Sequence, residues 1–154
     1  MVLRPEAIRE RLLRLEEVIS RLEELRRLDA RALREAFREA WAVERGLQLG
    51  AEIVLGVGNH ILSAHFGVSA QDYEDIITQL GVHNVIGASL REELKGLGGF
   101  RNILVHGYLR VDPDRVATPF KSVRRASTSS LGPSESGLRR RRGEPRNLVP
   151  SARL

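Results

Sequence analysis

Apolar side chains recur at helical spacing along residues 5–28. They follow one another at intervals of four, three, four and three residues, at Ile8, Leu12, Leu15, Ile19 and Leu22. This spacing places them on one face of a helix, and Pro5 suits the first turn of that helix. The stripe covers about two heptads, fewer than a coiled coil needs, so it predicts a helix that packs in a bundle.

The next segment keeps helical periodicity without a proline from Ala30 to about Phe66. We therefore expect one long second helix, with Asp29 as its N-cap. Phe37 and Trp41 lie one turn apart and are expected in the core. Each glycine inside a helix costs roughly 1 kcal/mol relative to alanine, so those in this segment are expected to admit a close neighbour or a bend. They are Gly46, Gly50, Gly56 and Gly58.

Two further helices are predicted before the chain changes character. We expect Ser69 to cap a third helix, with Asp72 three residues on, that runs through AQDYEDIITQL and ends at Gly81. After the loop GVHNVIGAS, a fourth helix is expected from near Ser89 to before Pro113. Three glycines weaken the middle of this fourth helix: Gly96, Gly98 and Gly99.

From about Thr118 the chain is rich in Ser, Gly, Pro and Arg, and neither helical nor strand periodicity is evident. We therefore expect a helical domain over residues 1–117 and a basic tail over 118–154 that is disordered or irregular. The predicted fold class is all-α, an up-and-down bundle of about four helices. No internal repeat is evident.

The charge follows the same division. Residues 1–114 contain 15 Lys and Arg against 18 Asp and Glu, whereas residues 115–154 contain 10 against 2. The net charge of +5 therefore reflects the tail and does not by itself indicate nucleic-acid binding.

Several classes of site are not expected. The chain has no cysteine, which excludes disulfides and cysteine-based zinc sites. His60 and His65 are five residues apart, off a common helix face, so we expect no metal site, and no cofactor is implied. The charged start is unlike a signal peptide, and no apolar stretch approaches the length of a membrane span. We expect a cytoplasmic protein.

Polar residues surround an apolar run in GGFRNILVHGYLRVD, residues 98–112. With Arg101 at zero, an ideal helix places Asn102 near 100°, His106 near 140° and Tyr108 near −20°. Arg101 and His106 therefore do not align on a regular helix. They can act on one group if the helix loosens near Gly107, or if a second copy of the chain contributes.

These residue types suit phosphodiester cleavage. Arginine binds phosphate in a bidentate manner, and histidine moves protons near neutral pH. In RNA the 2′-OH is an internal nucleophile, so no metal is required. Asn102 could orient the histidine or the phosphate, and Tyr108 could bind phosphate, stack a base or be modified.

Structural roles are also open for these residues. Arg101 could pair with Glu92 or Glu93 on its own predicted helix. His106 could be favoured by the dipole at a helix C-terminus, and Tyr108 could be a half-buried aromatic.

The string GFRNILVHGY resembles the R-x4-H-x-Y motif of HEPN-domain ribonucleases, specifically the HepT-like toxins. Upstream, residues 42–62 are similar to the long second helix of that family. The segment from DYEDIITQLGV through SLREELKGLGGFRN is similar to its third helix and the approach to the motif. The resemblance covers about residues 5–117.

The resemblance implies a helical bundle that dimerises with two motifs facing each other across a cleft. Arg101 and His106 would be the catalytic pair of a metal-independent endoribonuclease. Asn102 matches the polar residue that commonly follows the arginine. Tyr108 matches the tyrosine to which a cognate nucleotidyltransferase antitoxin adds AMP groups, and the added phosphates would block RNA electrostatically.

Two more residues are candidates through the same resemblance. Glu44 and Gln48 are spaced i,i+4 on a helix that lies near the motif in the family, so they are candidates for lining the cleft; a solvated pair is an equal alternative. The family continues after its motif into another amphipathic helix, whereas here the pattern is lost after VDPDRV, and we expect the tail to replace that helix.

The first interpretation is thus a dimeric HepT-like RNase toxin that acts on RNA and pairs with a nucleotidyltransferase antitoxin. The second is a non-catalytic HEPN-like module that docks on such a nucleotidyltransferase. The third is a plain helical scaffold in which the motif serves packing.

Overall fold

A computed structural model describes residues 4–25, 30–106 and 117–128 of the chain. All regular elements in these residues are helical, which confirms the all-α prediction. They are α1 (Pro5–Leu25), α2 (Ala30–Glu35), α3 (Phe37–Ile61), α4 (Tyr73–Val82), α5 (Ala88–Leu94), α6 (Leu97–His106) and α7 (Ala117–Thr128). A π-helical turn at Leu62–Phe66 extends α3, and Gly67 ends it in the left-handed conformation, with φ of 68°.

The centre of the bundle is α3, which packs against α1, α4, α6 and α7. The larger apolar cluster includes Leu15 and Ile19 of α1 together with Val54 and Ile61 of α3. A smaller cluster includes Leu22 of α1. The predicted apolar stripe of α1 therefore faces the core, as expected. The predicted end of this helix, residues 26–28, and the predicted cap Asp29 lie outside the described residues.

The second predicted helix is not one continuous element. Ala36, with φ of −97° and ψ of 84°, separates α2 from α3. Hydrogen bonds continue on both sides, from Ala36 N to Ala32 O and from Ala40 N to Ala36 O. The break therefore changes the direction of the chain without a glycine or proline to mark it in the sequence.

Phe37 and Trp41 are not in the core, contrary to the prediction. Phe37 is 50% exposed and Trp41 is 64% exposed. The core face of α3 instead carries Val43, Leu47 and Val54, which are all buried. Helical spacing predicted the helix correctly, but Phe37 and Trp41 lie on a different face of α3 from these buried residues.

The glycines of α3 admit close neighbours, as predicted. A Cβ built on Gly50 would lie 2.5 Å from Cγ1 of Val123 on α7. One built on Gly58 would lie 2.7 Å from Cδ1 of Leu80 on α4. The missing side chains let α7 and α4 approach the backbone of α3.

The N-cap of α4 is Asp72, not Ser69. Asp72 has an extended backbone, and its Oδ1 accepts a hydrogen bond of 2.8 Å from the backbone N–H of Asp75. This is the standard way for a carboxylate to satisfy a first-turn donor. The helix ends at Val82, one residue beyond the expected Gly81.

The fourth predicted helix is divided into α5 and α6. Gly96 adopts a φ of +83°, a left-handed conformation that ends α5 and lets α6 start in a new direction. Its N–H donates to Oε1 of Glu74 on α4, at 2.7 Å. The turn between the two helices is therefore held on the first turn of α4.

A helix occupies residues that were predicted to be irregular. The expectation that helical structure is absent from about Thr118 is wrong for residues 117–128, because α7 packs on α1, α3 and α5. Phe120, Val123 and Ala126 are buried at intervals of three residues. The hydroxyl of Ser122 donates to the carbonyl oxygen of Glu93 on α5. An amphipathic helix thus follows the motif after all.

The rest of the predicted tail, residues 129–154, lies outside the described residues. Because α7 shares the core of the bundle, a domain boundary at residue 117 would fall at the start of a packed helix. None of the described helices combines the length and the apolar character that crossing a membrane requires.

Candidate functional site

The candidate site lies where α6 crosses α3. Leu97 at the start of α6 belongs to the larger cluster, with Val54 of α3. Leu104 packs on the smaller cluster, which contains Leu47 of α3. Along α3 the order of the clusters is reversed, because Leu47 precedes Val54. Helix α6 is therefore antiparallel to α3, and His106 lies toward the N-terminal end of α3.

Arg101 is directed from α6 into the space between α3 and α4. Its Nη2 donates to Oε1 of Glu52 at 3.5 Å, and its guanidinium carbon lies 4.7 Å from the ring centroid of Tyr73. The side chain is 19% exposed, and its Nε is buried without a hydrogen-bond partner in the part of the chain that is described. An arginine held by one carboxylate and one aromatic face keeps donors available for an anion.

Glu52 connects Arg101 to Gln48, which was predicted to line the cleft. Nε2 of Gln48 donates to the same Glu52 oxygen, at 3.1 Å. Glu44 lies one turn before Gln48 on α3 and is half-buried. Glu44, Gln48 and Glu52 therefore share one face of α3, and Arg101 meets the end of that face.

The close approach of α6 to α4 depends on Gly98. A Cβ at this position would lie 2.7 Å from Cβ of Tyr73 and 3.0 Å from the backbone nitrogen of Glu74. The glycine therefore allows the start of α6 to rest on the first turn of α4, and one turn later Arg101 reaches over the Tyr73 ring.

The outer face of α6 carries the other motif residues. Asn102 and His106 are exposed, as are Ile103 and Val105, whereas Leu104 is half-buried. The helix stays regular through His106, so it does not loosen between the arginine and the histidine. Tyr108 and Gly107 lie outside the described residues.

The ion pair that Arg101 forms is not the one considered as its structural role. Arg101 pairs with Glu52 rather than with Glu92 or Glu93. Nζ of Lys95 lies 3.9 Å from Glu92, and Nε of Arg125 lies 3.5 Å from Glu93.

Neither Glu52 nor Tyr73 was predicted from the motif or from helical spacing. A signal for Glu52 exists in the sequence, since it continues the i,i+4 series of Glu44 and Gln48. No local signal marks Tyr73, because its contact with Arg101 depends on how α6 packs on α4.

The histidines outside the motif have other surroundings. Nε2 of His60 accepts a hydrogen bond from the backbone N–H of Arg4 at 3.3 Å. His65 and His83 pack on Phe66, with ring centroids 4.7 and 4.5 Å away. Within residues 4–25, 30–106 and 117–128, no group of three or more His, Asp or Glu side chains is placed to hold a metal ion.

The sequence model of a protein family, described as ribonuclease HepT-like, matches residues 15–123. This match includes α3, α6 and most of α7. The chain belongs to the HepT-like ribonuclease family. The resemblance drawn from the motif is therefore confirmed, and family membership supports nuclease activity as a general class.

One curated relative of this HepT-like chain is a tRNA nuclease HepT from Aphanizomenon flos-aquae (strain 2012/KM1/D3). The two are 33% identical over 82 residues, which is 53% of this chain and 55% of the relative. The match thus spans only about half the length of that protein.

Solved structures share the fold. A chain of a toxin–antitoxin structure with AMP-PNP superposes with a TM-score of 0.70 at 23% identity, covering 80% of this HepT-like chain and 96% of the other. A chain of the structure of a tri-AMPylated Shewanella oneidensis HEPN toxin in complex with MNT antitoxin superposes with a TM-score of 0.68 at 24% identity, covering 79% of this chain and 93% of the other.

Proposed function

We propose that this HepT-like chain is the toxin of a toxin–antitoxin pair and cleaves RNA as a metal-independent endoribonuclease. Arg101 binds the scissile phosphate and stabilises the charge that develops on it. His106 moves a proton to or from the reacting oxygens, with the 2′-OH as nucleophile. Asn102, the exposed residue directly after Arg101, orients the phosphate or the imidazole. RNA in the cytoplasm is the substrate.

The observation that carries this proposal is the setting of Arg101. The guanidinium is oriented by Glu52 and Tyr73 and is mostly shielded from water. A phosphate interacts more strongly with an oriented, partly desolvated guanidinium than with a solvated one. The distance of 3.5 Å between Arg101 Nη2 and Glu52 Oε1 makes this a weak hydrogen bond, so a phosphate can compete for the arginine.

The active site is proposed to form between two subunits. Arg101, in the middle of a regular α6, faces α3 and α4, while His106 is exposed at the C-terminal end of the same helix. Exposed Ile103 and Val105 beside His106 supply an apolar surface for a second copy. In this homodimer, Arg101 of one subunit and His106 of the other act on one phosphate.

The catalytic assignment is tested by RNA cleavage in the presence of a chelator. Wild type should cut, and Arg101→Ala and His106→Ala should each lower the rate by about 10²- to 10⁴-fold. Arg91→Ala and His65→Ala, which change the same residue types elsewhere, serve as matched controls. Equal cleavage by all variants would rule out the catalytic assignment.

The shared site is tested by mixing the two inactive variants. If each site takes its arginine and histidine from different subunits, a mixed dimer contains one intact site, and random pairing restores about a quarter of wild-type activity. No restoration in a sample shown to contain mixed dimers would place both residues of a site on one subunit.

The proposed regulator is a cognate nucleotidyltransferase antitoxin that adds AMP to Tyr108. Each added phosphate would place negative charge near the motif and compete with RNA for Arg101. Incubation with the nucleotidyltransferase and ATP should increase the mass by one or more AMP units, and Tyr108→Phe should abolish the increase. An unchanged increase in Tyr108→Phe would show that another residue is modified.

A non-catalytic module that docks on a nucleotidyltransferase is the second candidate. It is favoured by the ion pair that already engages Arg101 and by the exposed apolar residues of α6. Expression without a nucleotidyltransferase discriminates between the two candidates, because only the nuclease arrests growth, and Arg101→Ala should relieve that arrest.

A further inference from the structure

One face of α3 begins with two exposed aromatic residues and ends at Glu52, which contacts Arg101 of α6. At about 100° per residue, five side chains fall within an arc of roughly 80° on this helix. They are Phe37, Trp41, Glu44, Gln48 and Glu52. We call them the α3 stripe. From Trp41 to Glu52 the stripe is about 16 Å long, since a helix rises about 1.5 Å per residue.

The aromatic end of the stripe is exposed and ordered by ring packing. The rings of Phe37 and Trp41 have centroids 5.1 Å apart and planes tilted by 35°. Trp41 is 64% exposed, and it is the only tryptophan of the chain. Exposing so much aromatic surface forgoes the free energy that burial would give, so an exposed pair on the helix face that leads to the candidate active site indicates a binding surface.

We infer that Phe37 and Trp41 form a stacking platform for bases of a single-stranded RNA segment that continues into the candidate active site. This inference rests on the proposed nuclease function. Base stacking on exposed aromatic rings tolerates any sequence and is a general means of binding single strands. At a stacking rise of about 3.4 Å per nucleotide, the stripe from Trp41 to Glu52 spans about five nucleotides.

The charges around the stripe fit a strand in one orientation. Glu44 and Glu52 on the stripe repel phosphates, while their oxygens and the amide of Gln48 can bind base edges. Arg38 and Arg45 are exposed on α3, at roughly 60–80° from the middle of the stripe. Bases thus lie along the stripe and the phosphate backbone follows the two arginines.

A second copy of the chain is the competing occupant of this surface. A two-fold contact centred on Trp41 would bring Arg38 and Arg45 of one subunit toward the same arginines of its partner. This like-charge arrangement disfavours self-association at the aromatic pair and favours a polyanion.

The sole tryptophan provides a direct binding assay. We would titrate wild type with a single-stranded 2′-O-methyl RNA, which lacks the free 2′-OH needed for cleavage, and with the same sequence as a duplex. Stacking on Trp41 predicts quenched fluorescence with the single strand and much less with the duplex. Unchanged fluorescence at saturating single strand, with binding established by anisotropy, would overturn the inference.

Cleavage kinetics give a second test. Trp41→Ala should raise KM for single-stranded RNA by at least about fivefold, as loss of one stacked base implies, and leave kcat nearly unchanged. Trp41→Phe should recover most of the affinity. Leu13→Ala, which removes an apolar side chain 53% exposed on α1, is the matched control and should leave KM unchanged.

The outcomes separate this inference from the nuclease proposal. If wild type cuts RNA but Trp41→Ala keeps the wild-type KM, the platform is absent and the nuclease stands. If wild type fails to cut but the single strand still quenches Trp41, the platform stands without the nuclease. If Trp41→Ala dissociates a dimer in sedimentation, the surface is a subunit interface, and the inference is wrong.

Discussion

Arg101 on α6 and Glu52 on α3 are 49 residues apart in the chain, and their side chains meet at 3.5 Å in the candidate site. Glu52 also accepts a hydrogen bond from Gln48, one turn earlier on α3. The carboxylate is therefore held from its own helix while it orients the arginine from another. This makes Glu52 a positioning residue in the proposed nuclease.

Glu52→Gln should separate the orientation of Arg101 from phosphate binding. The amide keeps a hydrogen-bond acceptor but loses the negative charge, so RNA should bind as well or better while kcat falls by about tenfold as Arg101 becomes less well positioned. Single-turnover kinetics with KM measured separately would show this. The ion pair is partly exposed, so unfolding free energy should change by less than about 1 kcal/mol.

Glu17→Gln is the matched control for that change. Glu17 pairs with Arg14 on the exposed side of α1, and its substitution should change neither kcat nor KM. A rise in kcat for Glu52→Gln would contradict the positioning role and show instead that the carboxylate restrains the arginine.

Gly98→Ala should weaken both the fold and the site. The new Cβ meets Tyr73 and the backbone of Glu74, which cannot move without displacing α4. We expect a loss of about 1–3 kcal/mol in unfolding free energy and lower nuclease activity, because Arg101 shifts with α6. Urea denaturation and RNA cleavage measure the two effects.

Gly99→Ala is the neighbouring control. Its Cβ would meet nothing within 4 Å among the atoms that are described, and Gly99 is exposed in α6. We expect it to stabilise the protein by up to about 1 kcal/mol through better helix propensity. Equal destabilisation by both alanines would show that the close contact with α4 is not the cause of the loss in Gly98→Ala.

Asp72→Ala should remove the N-cap of α4. The loss of the hydrogen bond to the N–H of Asp75 should cost about 1 kcal/mol of stability. Ser69→Ala, at the exposed position that the sequence favoured as the cap, should change the thermal midpoint little. A larger effect at Ser69 than at Asp72 would contradict the observed capping.

Val123→Ala tests whether α7 belongs to the folded core. The Val123 side chain is fully buried against Gly50, so the change should cost about 1.5–3 kcal/mol in urea denaturation. Lys121→Ala, on the exposed side of the same helix, should stay within about 0.5 kcal/mol of wild type. An equally small effect at Val123 would show that α7 is not needed for stability.

The features of the fold that depend on local periodicity could be predicted from the sequence. The stripe of α1, the helical character of residues 37–61 and the end of α4 follow from spacing and from terminator residues. The break at Ala36 carries no glycine, proline or capping side chain. The pattern of the sequence therefore contained nothing from which this break could be predicted.

In residues 117–128 the sequence predicted irregular structure where the chain forms a helix. The buried positions Phe120, Val123 and Ala126 form a stripe too short and narrow to stand out from the Ser- and Arg-rich composition around it. Composition alone therefore did not indicate this helix, which is stabilised by its packing against α3 at Gly50. Tertiary context overrides weak local preference in such cases.

The candidate site was predictable in part. The motif predicted Arg101 and the exposed Asn102 and His106 as candidates, but the pairing of Arg101 with Glu52 required the packing of two helices distant in sequence. The catalytic roles of these residues stay predictions until the variants are measured.

The position of α7 has a consequence for synthesis. It is the last described helix, yet it contacts α1 and α3 and covers the backbone of Gly50. A nascent chain that has emerged only through α6 therefore leaves the apolar surface beneath α7 uncovered, and transiently exposed surface of this kind is prone to aggregation. The core of this protein is therefore completed only after almost all of the described helices have been translated.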